Sequence, residues 1–357
     1  MPGARQCRRP HRSKAFRMSP SAFARSLRSL TRLNNSRGVA LVAVIWVTGV
    51  LALIATSVAT SSRTETSLTW NRLENAKARA LADAGVHRAI LTLLSQQIPN
   101  RSSGPGAELA NSPDSQTQNA GGPSNMRPDG TLYSWRFEDG TIRLSARQES
   151  GKINLNGDNA ELLEGLLRSV DLSPQEIAGL VDSVLDFRDP DSEPRAYGRE
   201  APGYATLGLS YGPKNRNFET DDELLLVPGM TQAIYRKIRP AVTVYSGARG
   251  FNPLYAPLEA FVALPDMDRH QAAAILSRRQ AMSAEDFVRS LSASPFYART
   301  AAPVYSVVAE AVTPAGSRFT REAVVALTPN QEPAFHLFTW REFASQSHQS
   351  AGSIEAQ

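Results

Sequence analysis

Acidic residues concentrate in one short segment of the chain, DFRDPDSEPRAYGRE at residues 186–200. Two prolines interrupt this segment, so its carboxylates do not share one helix face and can surround a single centre. Carboxylate oxygens are the ligands that a hard cation such as Ca²⁺ prefers. The spacing fits a cation site, and it also fits a solvated loop in which Arg188, Arg195 and Arg199 neutralise the acids. The residues alone leave both readings open.

Signatures of catalysis are weak elsewhere. Residues 208–212 read GLSYG and match G-x-S-x-G, but that motif requires a strand before the serine and a helix after it. Here it lies in a loop-like stretch rich in Pro and Gly, which indicates a chance match. The five histidines are scattered without ligand spacing, so neither zinc nor triad chemistry is predicted. The only cysteine is Cys7, so no disulfide is expected downstream of it.

The N-terminal segment 1–38 is a cationic leader that holds ten Arg or Lys and no acid. These ten charges exceed the net charge of the chain, which is +5, so residues 39–357 carry a net −5. The uncharged run 39–60 is long enough to cross a bilayer as a helix. Because cationic flanks stay in the cytoplasm, the rest of the chain is predicted to be exported. Small-residue sites at 52–62 leave a cleavable signal peptide open as the alternative.

The helical pattern continues past the apolar run, over residues 61–98. Apolar or small side chains recur there at steps of three and four, which predicts an amphipathic helix. With no proline in residues 39–98, one continuous helix of nearly 60 residues is expected, its far end packed on a soluble domain. The predicted stripe is Leu73, Ala76, Ala80, Ala84, His87, Leu91 and Leu94.

The remainder of the chain divides into a split sheet and an insert. Residues 99–130 are rich in Pro, Gly, Ser and Asn and predict a flexible loop. Strands are predicted at 132–138, 141–148, 302–312, 318–327 and 334–340, the first two joined by a turn at Asp139-Gly140. The sheet portions 131–150 and 301–341 therefore flank residues 151–300, and 342–357 form a predicted disordered tail.

Helix starts are frequent within the insert 151–300. Capping boxes are predicted at SPQE (173–176), TDDE (220–223) and SAED (283–286). Three stretches also look like diverged copies of one unit, at 151–167, 218–230 and 250–265. The third copy departs from the first, with Leu254 where the first has Asn156.

A cationic leader that ends in Gly38, an apolar helix from Val39 and an amphipathic continuation resemble the type IV pilins and pseudopilins. The resemblance implies that a prepilin peptidase cuts between Gly38 and Val39. Pilins carry Glu at the fifth mature position, where this chain has Ala43. That loss, with GKINLN (151–156) and ELLLVPGM (223–230), points to pseudopilin K of type II secretion. The implied fold is α+β, with a long N-terminal helix on a small antiparallel sheet and a large all-helical insert of SAM-like, helix-hairpin-helix units.

The resemblance also implies a function. Such a subunit would be a structural component anchored once in the inner membrane of a Gram-negative bacterium, with its C-terminal domain in the periplasm. It would sit at the tip of the pseudopilus, help to initiate assembly, and contact minor pseudopilins I, J and H and the assembly platform. Family members bind calcium through a loop like 186–200, so Asp189, Asp191 and Glu200 are the expected ligands. Relatives have further acids after that glutamate, where this chain has Ala201-Pro202-Gly203.

The alternative of a different class is a periplasmic binding protein, such as a DNA-uptake receptor built on helix-hairpin-helix repeats. A DNA-binding hairpin presents backbone amides of flexible glycines to phosphate. The segment PGMT (228–231) has Gly229 but Thr231 in place of a second glycine. The exported part also lacks an excess of Lys and Arg, which disfavours DNA binding.

Overall fold

The computed structural model describes residues 39–97, 123–298 and 303–342, which fall into two units. The first unit, Met1–Thr69, is described from residue 39 onward. Its window Ala40–Ser57 is helical and exposed, with a mean hydropathy of 2.3. The predicted leader, most of the predicted loop 99–130 and the tail after residue 342 lie outside the described residues.

A single helix, α1 (Val39–Gln97), contains 59 residues. The continuous helix predicted over 39–98 is thus confirmed to within a residue at its end. The absence of proline keeps every backbone N–H in this stretch able to donate along the helix axis.

The second unit, Trp70–Gln357, contains a five-stranded antiparallel sheet. Its strands, in order across the sheet, are β1 (Asp129–Phe137), β2 (Gly140–Gln148), β5 (Val304–Val312), β6 (Arg318–Leu327) and β7 (Phe335–Glu342). Strand β2 pairs with β5 in a register that places Leu144 opposite Ala309, so the ladder joins segments far apart in sequence. The predicted split sheet is therefore present.

The hairpin between β1 and β2 turns one residue earlier than predicted. Phe137 pairs directly with Gly140, so the two turn residues are Glu138 and Asp139. Glu138 has φ +50°, in the left-handed region that favours glycine. Gly140 is instead needed in the strand, because a Cβ there would lie 2.3 Å from a methyl carbon of Leu81.

One face of α1 packs on this sheet and forms a core with it. At Gly85 a Cβ would lie 2.8 Å from side-chain atoms of Ile142 and Leu144, so the helix backbone rests directly on the strands. Small residues permit such close approach. The buried residues on this face of the helix are Ala78, Leu81, Ala82, Val86, Ala89, Ile90 and Leu93.

The stripe predicted to pack on the soluble domain is therefore mostly the wrong face, although Leu94 packs against the core and the His87 ring lies 5.4 Å from the Trp340 ring. Leu73 and Leu91 are 48% and 60% exposed, and Ala76, Ala80 and His87 are exposed as well. Ala84 and Leu94 are only partly buried. Within the second unit, α1 carries two apolar faces, and the sheet covers one of them.

Helices make up most of the regular secondary structure of the insert, but it is not all-helical as predicted. A short parallel pair of strands, β3 (Ile153–Asn154) and β4 (Val242–Thr243), ties its first copy to a later segment. Three 3-10 helices cover Glu149–Gly151, Asp221–Leu226 and Arg239–Ala241. The α-helices are α2 (Ala160–Arg168), α3 (Pro174–Arg188), α4 (Ala201–Thr206), α5 (Gln232–Ile238), α6 (Leu258–Val262), α7 (Arg269–Ala281) and α8 (Ala284–Ser290).

The predicted capping sites have different outcomes. The complete capping box of Ser173 and Glu176 opens α3, with Pro174 at its first turn. Ser283 caps α8 by accepting from the Asp286 N–H. The prediction at Thr220 is wrong, because its side chain makes no cap bond. Of the acids that follow Thr220, Asp221 and Asp222 pair with Arg341, and Glu223 pairs with Lys214.

Ion pairs join the insert to the sheet. Arg341 of β7 donates to Asp221 Oδ1 at 2.9 Å and to Glu322 Oε2 at 3.0 Å. Arg239 of the insert donates to Asp221 Oδ2 at 3.1 Å and also pairs with Glu322 of β6. Burial would raise the pKa of Asp221, but the two guanidiniums outweigh it and the pKa is lowered. The charged groups therefore compensate one another and set the docking of the insert.

Candidate functional site

Two helix ends position the acidic loop 189–200. Helix α3 ends at Arg188, and the backbone N–H of Asp189 still donates to the Leu185 carbonyl at 3.1 Å. The next helix, α4, begins after Glu200, which has an extended backbone at the N-cap position. Prolines at 190 and 194 keep the intervening chain out of a helix. The loop thus folds back on itself between two fixed ends.

This arrangement brings the three predicted ligands together. One carboxylate oxygen from each of Asp189, Asp191 and Glu200 lies within 4.8 Å of the others. Because Ca–O distances are about 2.3–2.6 Å, oxygens on opposite sides of one Ca²⁺ lie about 5 Å apart. The cluster therefore has the size of a single calcium shell. Within the part of the chain that the structure describes, it is the only group of three or more such side chains.

Two of the three candidates, Glu200 and Asp189, have a buried oxygen that fits a cation, whereas Asp191 is exposed. Glu200 is 4% exposed, and its Oε1 has no hydrogen-bond donor among the described residues. The Oδ1 of Asp189 is buried without a donor in the same way. A buried carboxylate oxygen without a partner is costly, and a cation would compensate it. Burial, and then the charges of Asp186, Asp189 and Asp191, raise the pKa of Glu200.

Asn215 is a residue that the sequence pattern did not reveal. Its side-chain amide donates to the Asp191 carbonyl at 2.8 Å, and its backbone N–H donates to the Phe187 carbonyl at 2.9 Å. Its Oδ1 is also buried without a donor in the described chain. Asn215 fastens a second loop to the acidic loop and offers a neutral oxygen of the kind that Ca²⁺ accepts. Asn215 adopts a left-handed backbone, with φ +51°, a region that Asn tolerates.

Among the described residues, the other sequence candidates do not assemble into sites. Ser210 of the G-x-S-x-G match lies in an irregular segment between α4 and the 3-10 helix that begins at Asp221. His87, His270 and His336 lie on α1, α7 and β7 respectively. The structure thus supplies no strand–serine–helix elbow at Ser210.

In the hairpin considered for DNA binding, the residue in place of the second glycine, Thr231, caps a helix. Gly229 adopts φ +89°, a conformation that glycine tolerates. Thr231, where a second glycine would stand, is the N-cap of α5, and its hydroxyl accepts from the Ile234 N–H at 3.2 Å. The hydroxyl stabilises the helix start.

The predicted processing site lies where the described part of the chain begins. Gly38 lies outside the described residues, and Val39 is the first residue of α1. Ala43, in the position of the usual pilin glutamate, is exposed on the helix. No carboxylate occurs in α1 before Glu65.

Comparison with known proteins identifies relatives. Residues 143–247 match the family model described as type II secretion system (T2SS), protein K. Type II secretion system protein K of Pseudomonas aeruginosa is 26% identical over 175 residues, which are 45% of this chain and 52% of that protein. The Pectobacterium carotovorum protein of the same name is 30% identical over 129 residues, 34% of this chain and 39% of its own. The chain thus spans about half, or less, of the relatives it matches.

A solved structure is also similar. It is a chain of the GspK-GspI-GspJ complex of the enterotoxigenic Escherichia coli type 2 secretion system. The match covers 80% of this chain and 99% of that chain, with a TM-score of 0.48 and 16% identity. Those values are too low to support an inference about partners.

Proposed function

We propose that this chain belongs to the type II secretion system protein K family and is a minor pseudopilin, a structural subunit of a type II secretion system. The match of residues 143–247 to the family model and the similarity to the Pseudomonas aeruginosa protein support this proposal. In this proposal it is anchored in the inner membrane of a Gram-negative bacterium and exposes its C-terminal domain to the periplasm. It supports protein export across the outer membrane and catalyses no reaction. Its long helix and sheet form a pilin-like module, and its insert at 151–300 consists of SAM-like units.

The observation that carries this proposal is the second apolar face of α1. Leu73 and Leu91 are about half exposed, and small residues such as Ala80 lie between them. Leaving a stripe of this kind in water is unfavourable, and small residues let another helix approach closely. We propose that helices of minor pseudopilins I and J, with H below them, cover this face. The assembly platform would load the subunits in that order.

The proposed membrane anchor is the apolar start of α1. The window Ala40–Ser57 is uncharged, exposed and apolar enough to span a bilayer. The ten cations of the leader favour a cytoplasmic N-terminus. Cleavage by a prepilin peptidase after Gly38 would remove the leader but keep the helix.

Processing can be tested at Gly38. Gly38→Leu should leave the precursor uncut, because a bulky side chain replaces the residue before the scissile bond. Intact-mass measurement of wild type should show a mature protein that begins at Val39. A matched control, Ser36→Leu, places the same side chain two residues earlier and should mature normally. A wild-type start beyond residue 52 would indicate an ordinary signal peptide instead.

We further propose that the acidic loop binds Ca²⁺ through the carboxylates of Asp189, Asp191 and Glu200, with the side-chain oxygen of Asn215 as a further ligand. The support is the spread of at most 4.8 Å between the carboxylate oxygens and the buried oxygens that lack donors. When bound, the ion would neutralise the crowded carboxylates and link the end of α3 to the start of α4. Its role is then structural.

Placement at the filament tip is the last part of the proposal. Pilin-like subunits are thought to use the fifth-position glutamate to neutralise the terminal amine of the preceding subunit, and Ala43 cannot do so. A subunit that enters first has no predecessor to neutralise. The insert of about 150 residues would have a radius of gyration of about 15 Å, bulk that should block a subunit above it.

Labelled wild-type chain should therefore appear at one end of each filament in electron micrographs. Ala43→Glu restores the charge but keeps the bulk, and deletion of residues 151–300 removes the bulk but keeps Ala43. Neither variant alone should enter the shaft efficiently. Label along the shaft in wild type would contradict tip placement.

A further inference from the structure

Arg195 of the acidic loop bridges the carboxylates of Asp186, near the end of α3, and Asp189. Its Nη1 donates to Asp186 Oδ1 at 2.9 Å and to Asp189 Oδ2. Its backbone N–H donates to Asp186 Oδ2 at 3.2 Å. Because one guanidinium nitrogen contacts both aspartates, it fixes their orientations relative to each other.

Both carboxylate oxygens of Asp186 are therefore engaged in hydrogen bonds. Asp186 is completely buried, and both its oxygens accept from Arg195. Gly198 closes the remaining side, since a Cβ there would lie 2.0 Å from Asp186 Oδ2. A carboxylate enclosed in this way is not available to a cation, although it belongs to the same acidic segment.

Only one of the two carboxylate oxygens of Asp189 accepts a hydrogen bond from Arg195. The Asp189 Oδ2 accepts from Arg195, whereas its Oδ1 is buried and has no donor among the described residues. Rotation of this carboxylate would break the ion pair with Oδ2, so Arg195 leaves Oδ1 as the oxygen that is free to bind a cation beside Asp191 and Glu200. The ion pair of Arg195 with Oδ2 thus also directs Oδ1 toward a bound cation.

The neighbouring arginine Arg199 does not act in this way. It lies in the same loop and carries the same charge, but it makes no hydrogen bond or ion pair to a carboxylate within the described part of the chain. The two arginines therefore differ in geometry and not in charge, which makes Arg199 a matched control.

We infer that Arg195 is a positioning residue of the cation site, which keeps Asp186 out of the coordination shell and orients Asp189 so that three carboxylates, not four, face the ion. The inference rests on the proposed calcium site. Residues that orient metal ligands through hydrogen bonds typically contribute 10–100-fold to metal affinity. The direction of the effect separates positioning from simple charge. Removal of a positioning residue weakens Ca²⁺ binding, whereas removal of a side chain that only repelled Ca²⁺ would strengthen it.

The test measures Ca²⁺ affinity by calorimetry on the full chain in detergent, after removal of metal by chelation. Arg195→Gln should weaken binding by about 10–100-fold. Arg199→Gln removes an equal charge without touching a carboxylate, so its affinity should equal or slightly exceed that of wild type. Arg195→Lys keeps the charge but loses the planar fork, and its affinity should fall between those of Arg195→Gln and wild type.

Each alternative has its own outcome. Tighter binding by Arg195→Gln would mean that Arg195 only repels the ion, and equal binding with a lower melting temperature in chelator would mean a purely structural role. Either result overturns the inference while the calcium site stands. If Arg195→Gln does not fold, Arg195→Lys decides, and affinity equal to wild type overturns the inference. A wild-type chain that binds no Ca²⁺ overturns the site and the role of Arg195 together.

Discussion

Ala80→Arg is expected to abolish protein secretion while the melting temperature of the chain stays close to that of wild type. Ala80 lies on the exposed apolar face of α1, so an arginine there reaches water and leaves the fold intact. Arginine is also nearly as good a helix former as alanine. A long charged side chain on the proposed contact face would, however, prevent close approach of a partner helix.

Ala82→Arg is the matched control two residues along the same helix. Ala82 is fully buried against the sheet, so the same substitution forces an unpaired charge into the core. We expect a loss of stability on the order of 3–5 kcal/mol, or no folded protein. Both variants should fail to secrete, but only Ala80→Arg should do so with a normal thermal melt by circular dichroism.

The partner face is then confirmed by recovery of the other pseudopilins. Wild type should bring down pseudopilins I and J after cross-linking, and Ala80→Arg should not. Normal secretion and normal cross-linking of Ala80→Arg would show that the exposed stripe has no partner. The helix would then serve only to connect the membrane segment with the sheet.

Excess Ca²⁺ is expected to raise the melting temperature of the full chain in detergent. A ligand that binds only the folded state at about 100 times its Kd adds about 2.7 kcal/mol to the free energy of unfolding. The double variant Asp189→Ala, Asp191→Ala should lose this shift, because it removes two of the three clustered carboxylates. The measurement is a thermal melt in chelator and in Ca²⁺ for each protein.

Glu193→Ala controls for general acidity of the loop. Glu193 is exposed and lies outside the cluster, so its removal should leave the Ca²⁺ shift intact. Mg²⁺ at the same concentration should stabilise less, because it requires a tighter octahedral shell and gives up water reluctantly. The absence of a shift in wild type, or its persistence in the double variant, would refute the calcium site.

Local signals in the sequence determined much of the architecture. A proline-free apolar run followed by a helical period fixed α1 to within one residue of Gln97, since helix formation depends on near neighbours. Alternating residues located the five strands, and Ser173 with Glu176 marked the start of α3. The three ligand candidates also came from a local segment, and the fold places their oxygens within 4.8 Å.

The tertiary structure decided which of several similar residues or helix faces makes a given contact. Helix α1 has two apolar stripes, and periodicity cannot rank them. The sheet selects the one that places Gly85 against Ile142 and Leu144, because only a residue without a Cβ allows that approach. Similarly, Arg188, Arg195 and Arg199 are alike in sequence, and the turn that brings the Arg195 backbone N–H to Asp186 decides which guanidinium pairs with the aspartates. Asn215 joins the loop only because folding returns the chain to Asp191, a contact between distant residues that no local pattern encodes.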